Sequence, residues 1–140
     1  MQIDQAGIDM IKSFENCELT VYKDVAGNPT IGVGHLIKPP ESPEDFAGGI
    51  TEAEADQMLL ADLAPVQNAV NRLADPSCNQ NQFNALCDFA FNLGVGALET
   101  MMAHGWDQIP AQIPRWNHAG GIVVDGLTKR RAAEVALFQS

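Results

Sequence analysis

Ile8, Ile11 and Phe14, with Met10 beside them, recur at helical spacing and predict an amphipathic helix over about residues 4–16, with Glu15 in its last turn. The period then changes to two. Leu19 and Val21 alternate with polar neighbours, a turn-rich stretch follows, and residues 30–35 form the return strand of a small hairpin whose turn is supplied by Gly27, Asn28 and Pro29. The polar, proline-rich residues 36–50 read as a loop. Thr51 with Glu54 three residues later makes a capping box, opening a helix through Met58, Leu59 and Leu63 that Pro65 is expected to kink or to restart through Val66, Val70 and Leu73. Residues 79–93 carry Phe83, Leu86, Phe89, Ala90 and Leu93 on a wide apolar face and predict the central buried helix, ended by Gly94 and Gly96. Pro110, Pro114, Trp106 and Trp116 place short helices between residues 98 and 116, and Thr128 is expected to cap a last helix through Ala132, Val135, Leu137 and Phe138. The sum is a mainly α protein of α+β type: a single domain over 1–140, with a small N-terminal lobe (about 16–50) holding the β-hairpin. A larger helical lobe (about 51–140 plus the N-terminal helix) completes it, with a cleft between the two.

Length agrees with that division, since 140 residues make one domain able to bury roughly 68% of its unfolded surface. Hydrophobic residues at 46% and charged residues at 19% exclude a disordered chain. No apolar run approaches the ~18 residues of a membrane span, and no basic start precedes an apolar block, so neither a signal peptide nor stable membrane association is expected. Charge alters the choice of partner. The net charge is −10, with 12 acids and 3 bases up to Asp62 and the one basic cluster at Lys129, Arg130 and Arg131. Such a chain repels phosphate backbones, which excludes nucleic acid. Cys17, Cys78 and Cys87 are an odd number without CxxC spacing and read as reduced, packed thiols, a Cys78–Cys87 bridge being the one alternative. His104 and His118 lack ligand spacing, so neither metal nor other cofactor is expected. Trp106 and Trp116 read as core aromatics before sugar platforms, and Met101 and Met102 as gap fillers.

Candidate chemistry concentrates between Phe14 and His35. A glutamate at a helix end with one side toward the core can have its pKa raised by partial desolvation and donate a proton. An aspartate in a polar turn stays ionised and can hold a water, so Glu15 and Asp24 occupy two environments that split acid from base roles, as glycoside hydrolysis requires. The Thr30 hydroxyl can position the same water, and Gly32 and Gly34 let a backbone approach a sugar chain closely.

Glu15, Asp24 nine residues on, Thr30 six further, then Gly32, Gly34 and His35 together resemble the motif of the phage-type lysozymes, glycoside hydrolase family 24. The resemblance continues through ITEAEADQMLLADL, FNLGVGAL, RWNHAGG and KRRAAEVALF, and so covers nearly the whole chain in order. It implies a lysozyme-like fold and a muramidase that cuts the β-1,4 bond between N-acetylmuramic acid and N-acetylglucosamine, its partner being the glycan strands of peptidoglycan. Glu15 would be the general acid, and Asp24 with Thr30 would position the attacking water. Gly32, Gly34, His35, Asn92 and Arg130 make up the expected substrate-binding side. Within that set His35 pairs with an acid from the larger lobe, Asn92 bonds substrate or orients Glu15, and Arg130, with Arg131 as fallback, pairs with the catalytic glutamate. Two features depart from the family: residues 36–50 form a shorter, proline-rich connection, and the chain is acidic where many members are basic. A monomeric phage endolysin is expected, held in the host cytoplasm until its release to the wall. Alternatives are an antibacterial effector domain of the same activity, delivered into a rival's periplasm, a lytic transglycosylase, and a catalytically silent wall-binding module.

Overall fold

Asp4 sets where the first helix begins. Its Oδ1 accepts the Gly7 N–H at 3.1 Å, capping α1 (Gln5–Glu15), and also the Nδ2 of Asn84 at 2.7 Å, a buried amide far along the chain. At the other end Asn16 turns left-handed (φ 59°), which stops the helix directly after Glu15. The structure, a computed structural model, describes all 140 residues.

Three antiparallel strands follow in the order β1 (Glu18–Lys23), β2 (Pro29–Gly32), β3 (His35–Leu36), with Thr30 opposite Tyr22 on one side and Ile31 opposite His35 on the other. Two hairpins thus stand where one was expected. Gly32 and Gly34 adopt φ of 67° and 65°, so the predicted return strand folds back on itself instead of continuing to His35. Pro29 likewise belongs to β2; the first turn spans residues 24–28 and is closed by the Asp24 N–H on the Asn28 carbonyl at 2.9 Å.

The expected loop contains a short 3₁₀ turn (Pro43–Phe46) and leads to α2 (Glu52–Leu73). The Thr51–Glu54 capping box is formed: the Glu54 N–H reaches Thr51 Oγ1 at 3.1 Å, and the Thr51 N–H reaches Glu54 Oε1 at 3.2 Å. Pro65 neither divides nor restarts α2, contrary to expectation. It lies on the exposed face with Ala61, whose carbonyl water can satisfy, while Leu63, Val66, Ala69 and Val70 keep the opposite face buried on both sides of it.

By its internal contacts the chain forms two compact units, one of Ile11–Ala64 and one of Met1–Met10 with Pro65–Ser140. The first has Ile11, Ile31, Val33, Ile37, Ala55, Leu59 and Leu63 as its buried apolar residues. The second is built around α3 (Gln80–Leu93), which is buried continuously from Phe83 to Ala90 and starts at the Asn79 cap. Gly94 (φ 96°) ends α3 as expected, whereas Gly96 lies inside the next helix, α4 (Val95–Met102). The short α5 (Ile109–Gln112) sits between 3₁₀ turns, Trp106–Gln108 and Ile113–Arg115. A two-stranded hairpin, β4 (His118–Ala119) and β5 (Ile122–Val123), turns at Gly120 and Gly121 and was not predicted.

The last helix, α6 (Asp125–Phe138), packs on α3 and begins three residues before the predicted cap. Val124, extended as it leaves β5, is the N-cap residue, and Thr128 lies in the first turn, its hydroxyl donating back to the Val124 carbonyl at 3.3 Å. Trp116 meets Phe89 edge-on at 5.8 Å and Trp106 tilts against Phe138 at 5.3 Å, which gives both tryptophans core partners. All three cysteines are free thiols; Cys87 is buried and Cys78 half-buried, but Cys17 is exposed rather than packed. No helix is long and apolar enough to cross a membrane.

Candidate active site

Glu15 is the last residue of α1 and is half-buried. Its carboxylate lies against Gly34 in the turn between β2 and β3: a Cβ built on Gly34 would stand 2.5 Å from Glu15 Oε2. The space that Gly34 leaves is therefore filled by this carboxylate, where close approach of a sugar was expected. Gly32 has a different reason, since its positive φ is needed for the turn while the neighbouring side chains, Ile50 and Ala55, leave ordinary van der Waals room.

Asp24 opens the first turn of the sheet. Oδ1 accepts the N–H groups of Ala26 (2.9 Å) and Asn28 (2.8 Å), so the turn that the sequence encodes also fixes the carboxylate. The Asn28 backbone bond, with those of its neighbours, holds the Asp24 carboxyl below the ordinary aspartate range, and Asp24 is an anion at neutral pH, as expected. Thr30 is buried in β2, opposite Tyr22. Its hydroxyl donates to the Asn28 carbonyl at 3.0 Å, which leaves the oxygen's lone pairs to accept from a water or substrate hydroxyl.

His35 begins β3, and both its ring nitrogens are engaged. Nδ1 lies 2.8 Å from Asp62 Oδ2 in α2, and Nε2 lies 2.8 Å from Glu41 Oε1 in the proline-rich loop. The acid partner expected from the larger lobe, assigned to residues 51–140, is Asp62; Glu41 is a second partner that was not expected, and both belong to the compact unit of Ile11–Ala64. Burial alone would lower the imidazole pKa, but hydrogen bonds to Asp62 and Glu41 and their charges outweigh it, and the net shift is upward.

Arg130 and Asn92 lie in the other unit. Arg130 is buried and forked onto Asp88, with Nε donating to Oδ2 at 3.0 Å and Nη2 to Oδ1 at 2.9 Å. Arg131, the fallback cation, is buried beside it. Its Nη2 donates to Asn92 Oδ1 at 2.8 Å and to Glu134 Oε1 at 2.7 Å, and its guanidinium stacks 5.1 Å over the Phe89 ring. Asn92 therefore spends its carbonyl on Arg131 and keeps its NH₂ group as a donor. Burial, followed by the adjacent Asp88, pushes the Glu134 carboxyl up to about 9 despite the opposing pull of Arg131, so Glu134 holds its proton at neutral pH. Neither Glu134 Oε2 nor Arg131 Nε finds a standard donor–acceptor partner.

Sequence reasoning missed Asp88, Glu134, Asp62 and Glu41. Two signals were present: a single acid in the apolar face FNALCDFAFNL, and a glutamate three residues after Arg131 on one helix face. No cluster of three His, Cys, Asp or Glu side chains is placed to hold a metal ion.

A mainly helical α+β fold with a helix-end carboxylate laid against a glycine turn is the lysozyme type of architecture, and solved structures agree. An endolysin from Escherichia coli O157:H7 phage FAHEc1 superposes with a TM-score of 0.86 at 32% identity, covering 99% of this chain and 93% of that one. The muramidase domain of SpmX from Asticaccaulis excentricus gives 0.81 at 32% identity, covering 99% and 98%. The phage lysozyme family profile matches residues 12–134, and this chain belongs to the phage lysozyme family. The endolysin of Bacillus phage PZA is 43% identical over 148 residues, covering the whole of this chain and 56% of its own length. The chain spans 54–60% of the length of the Bacillus and Lactococcus phage endolysins it matches.

Proposed function

We propose that this chain is a muramidase that hydrolyses the β-1,4 bond between N-acetylmuramic acid and N-acetylglucosamine in peptidoglycan, acting on the cell wall in phage-driven host lysis. The observation that carries this reading is the pairing, within one compact unit, of Glu15 seated on Gly34 with Asp24 fixed as an anion by its own turn. Glu15 delivers its proton to the glycosidic oxygen as that bond breaks. Asp24 takes a proton from the attacking water, whose oxygen bonds to the anomeric carbon. Thr30, its own proton committed to the Asn28 carbonyl, accepts a hydrogen bond from the same water and fixes its position. Among the residues expected to bind substrate, Gly32, Gly34 and His35 act by shaping the turn beneath Glu15. Asn92 offers its NH₂ to a sugar acetamido or hydroxyl group, and Arg130 is assigned with it to the substrate-binding side, as the family resemblance implies.

The test is digestion of purified peptidoglycan by the native chain, Glu15→Gln and Asp24→Asn, with products read by mass spectrometry. Water-added muropeptides with reducing ends are expected from the native chain, with the rate down at least ~10²-fold in Glu15→Gln and the products lost in Asp24→Asn. Anhydro products would move the chain to the transglycosylases, and an absence of cleavage would leave a wall-binding module.

A further inference from the structure

The Glu41–His35–Asp62 cluster has a protonation requirement written in its geometry. A carboxylate only accepts hydrogen bonds, and here one carboxylate oxygen stands 2.8 Å from each ring nitrogen of the same histidine. A neutral imidazole has one N–H and can satisfy one of them. The two acids come from different parts of the unit: Asp62 from α2 and Glu41 from the loop between β3 and α2. Only an imidazolium can therefore tie loop, sheet and helix together at once.

His35 is also the residue next to Gly34, and the carboxylate of Glu15 fills the place of the missing Gly34 Cβ. The turn has no stiffness of its own at that point, because residues 32 and 34 are both glycines with positive φ and β3 contributes only two residues. Its anchors are Val33, which is buried, the Ile31–His35 pairing and the clamped ring of His35.

We propose that His35 is a positioning residue for Glu15: as an imidazolium gripped by Glu41 and Asp62 it pins the Gly32–His35 turn on which the Glu15 carboxylate rests, and its deprotonation releases the Glu41 loop and loosens that seat. The catalytic consequence rests on Glu15 being the general acid, as proposed above. The charged groups facing the ring are Glu41 from the loop and Asp62 from α2, and Glu15 at the end of α1 adjoins Gly34, the residue before it. Both facing acids favour the charged ring, in keeping with its upward-shifted pKa. The clamp is complete below the ordinary histidine value of about 6.5 and is lost as pH rises through the higher value of the folded chain.

Glu41 supplies variants that separate this role from a merely structural one. Its side chain is 37% exposed, so substitution leaves the core intact. Glu41→Gln keeps the clamp in both protonation states, since the amide oxygen accepts from a charged ring and the amide NH₂ donates to the bare Nε2 of a neutral one. Glu41→Ala breaks it in both. In NMR titrations of the intact chain, His35 is expected to titrate above 6.5, at a lower pH in Glu41→Gln than in the native chain. The Glu15 side-chain carboxyl resonance is expected to step at the His35 midpoint in the native chain and not in Glu41→Ala. In peptidoglycan turnover, the native kcat is expected to fall at least threefold across the His35 midpoint with KM unchanged. Glu41→Gln should hold its plateau further into the alkaline range, and Glu41→Ala should be low on both sides of the His35 midpoint, with no step there. A His35 midpoint at or below 6.5, a Glu15 resonance that ignores it, or one alkaline limb shared by all three proteins would overturn the proposal. The two NMR readouts need no turnover, so they decide the clamp even if cleavage itself is not observed and the muramidase reading fails.

Discussion

Asp88→Asn removes the buried carboxylate that forks onto Arg130. Arg130 and Asp88 side chains are 4% and 0% exposed, and two nitrogens of the guanidinium meet both carboxylate oxygens at 2.9–3.0 Å. Water cannot replace the lost charge there, so the variant gives up a doubly charge-assisted fork in a desolvated setting. Breaking such a pair from one side costs about 3–5 kcal/mol. At an unfolding entropy of roughly 2.1 cal/mol/K per residue, a chain of 140 residues loses about 10–17 °C in Tm. One effect opposes this. Asp88 helps to push the Glu134 carboxyl up, so its removal lets Glu134 ionise more readily and lend negative charge to the cluster, which places the expected loss in the lower half of that range. The pair Arg72–Glu99 is the internal contrast, with the same 3.0 Å contact but side chains 59% and 49% exposed. Such a pair contributes about 0–1 kcal/mol, so Arg72→Ala should move Tm by less than about 3 °C. Differential scanning calorimetry of the three proteins at pH 7 decides the matter. Equal shifts for the two variants, or a loss below about 3 °C for Asp88→Asn, would refute the argument that burial sets the worth of this pair.

Glu134 titrates with the opposite sign to a surface acid. Its folded pKa of about 9 lies above the ordinary 4.5, so its contribution to stability is whole below about 4.5 and is lost as pH rises toward 9. Glu134→Gln removes that loss. Its Tm relative to the native chain should climb between pH 5 and 8, by up to about 1.4 kcal/mol of stability per pH unit, and a constant difference across that range would count against a protonated Glu134. Gly34→Ala places a methyl group 2.5 Å from Glu15 Oε2 at a φ of 65°. The strain costs about 1–2 kcal/mol, but the displaced carboxylate should lower kcat on the order of 10²-fold. Gly120→Ala, at a φ of 59° with nothing near its Cβ, carries the same strain and should leave kcat intact. Similar activity in the two alanine variants would show that Gly34 serves the turn alone.

What the sequence made legible in this chain was whatever a few neighbouring residues decide among themselves. The ends of α1, the Thr51–Glu54 box, the Asn79 start of α3 and the turn at Asp24 are local bargains between side chains and nearby N–H groups, and each follows from residue types two to four positions apart. The failures are of two kinds. Where glycine is involved, the pattern fixes that a turn is possible without fixing its number. Gly32 and Gly34 made two turns out of one predicted strand, while Gly120 and Gly121 between apolar residues were a hairpin signal passed over.

The second kind concerns charge, and it bears on how such a site is found. In the sequence Arg130, Arg131 and Glu134 look like any solvated helix face, and α6 has no clear apolar stripe to say otherwise. They are buried because α3 packs on α6 and brings its single acid, Asp88, and the Asn92 carbonyl against them, 42 and 39 residues away along the chain. No spacing rule spans that distance. The same holds for His35, whose partners lie 6 and 27 residues ahead and come from elements whose own patterns carry no sign of a histidine clamp. A motif can therefore locate the groups that act on a substrate, because they share one short hairpin and one helix end. The charges that tie one element to another within each unit become visible only when the fold has brought distant segments together, and their worth depends on how completely water has been excluded around them.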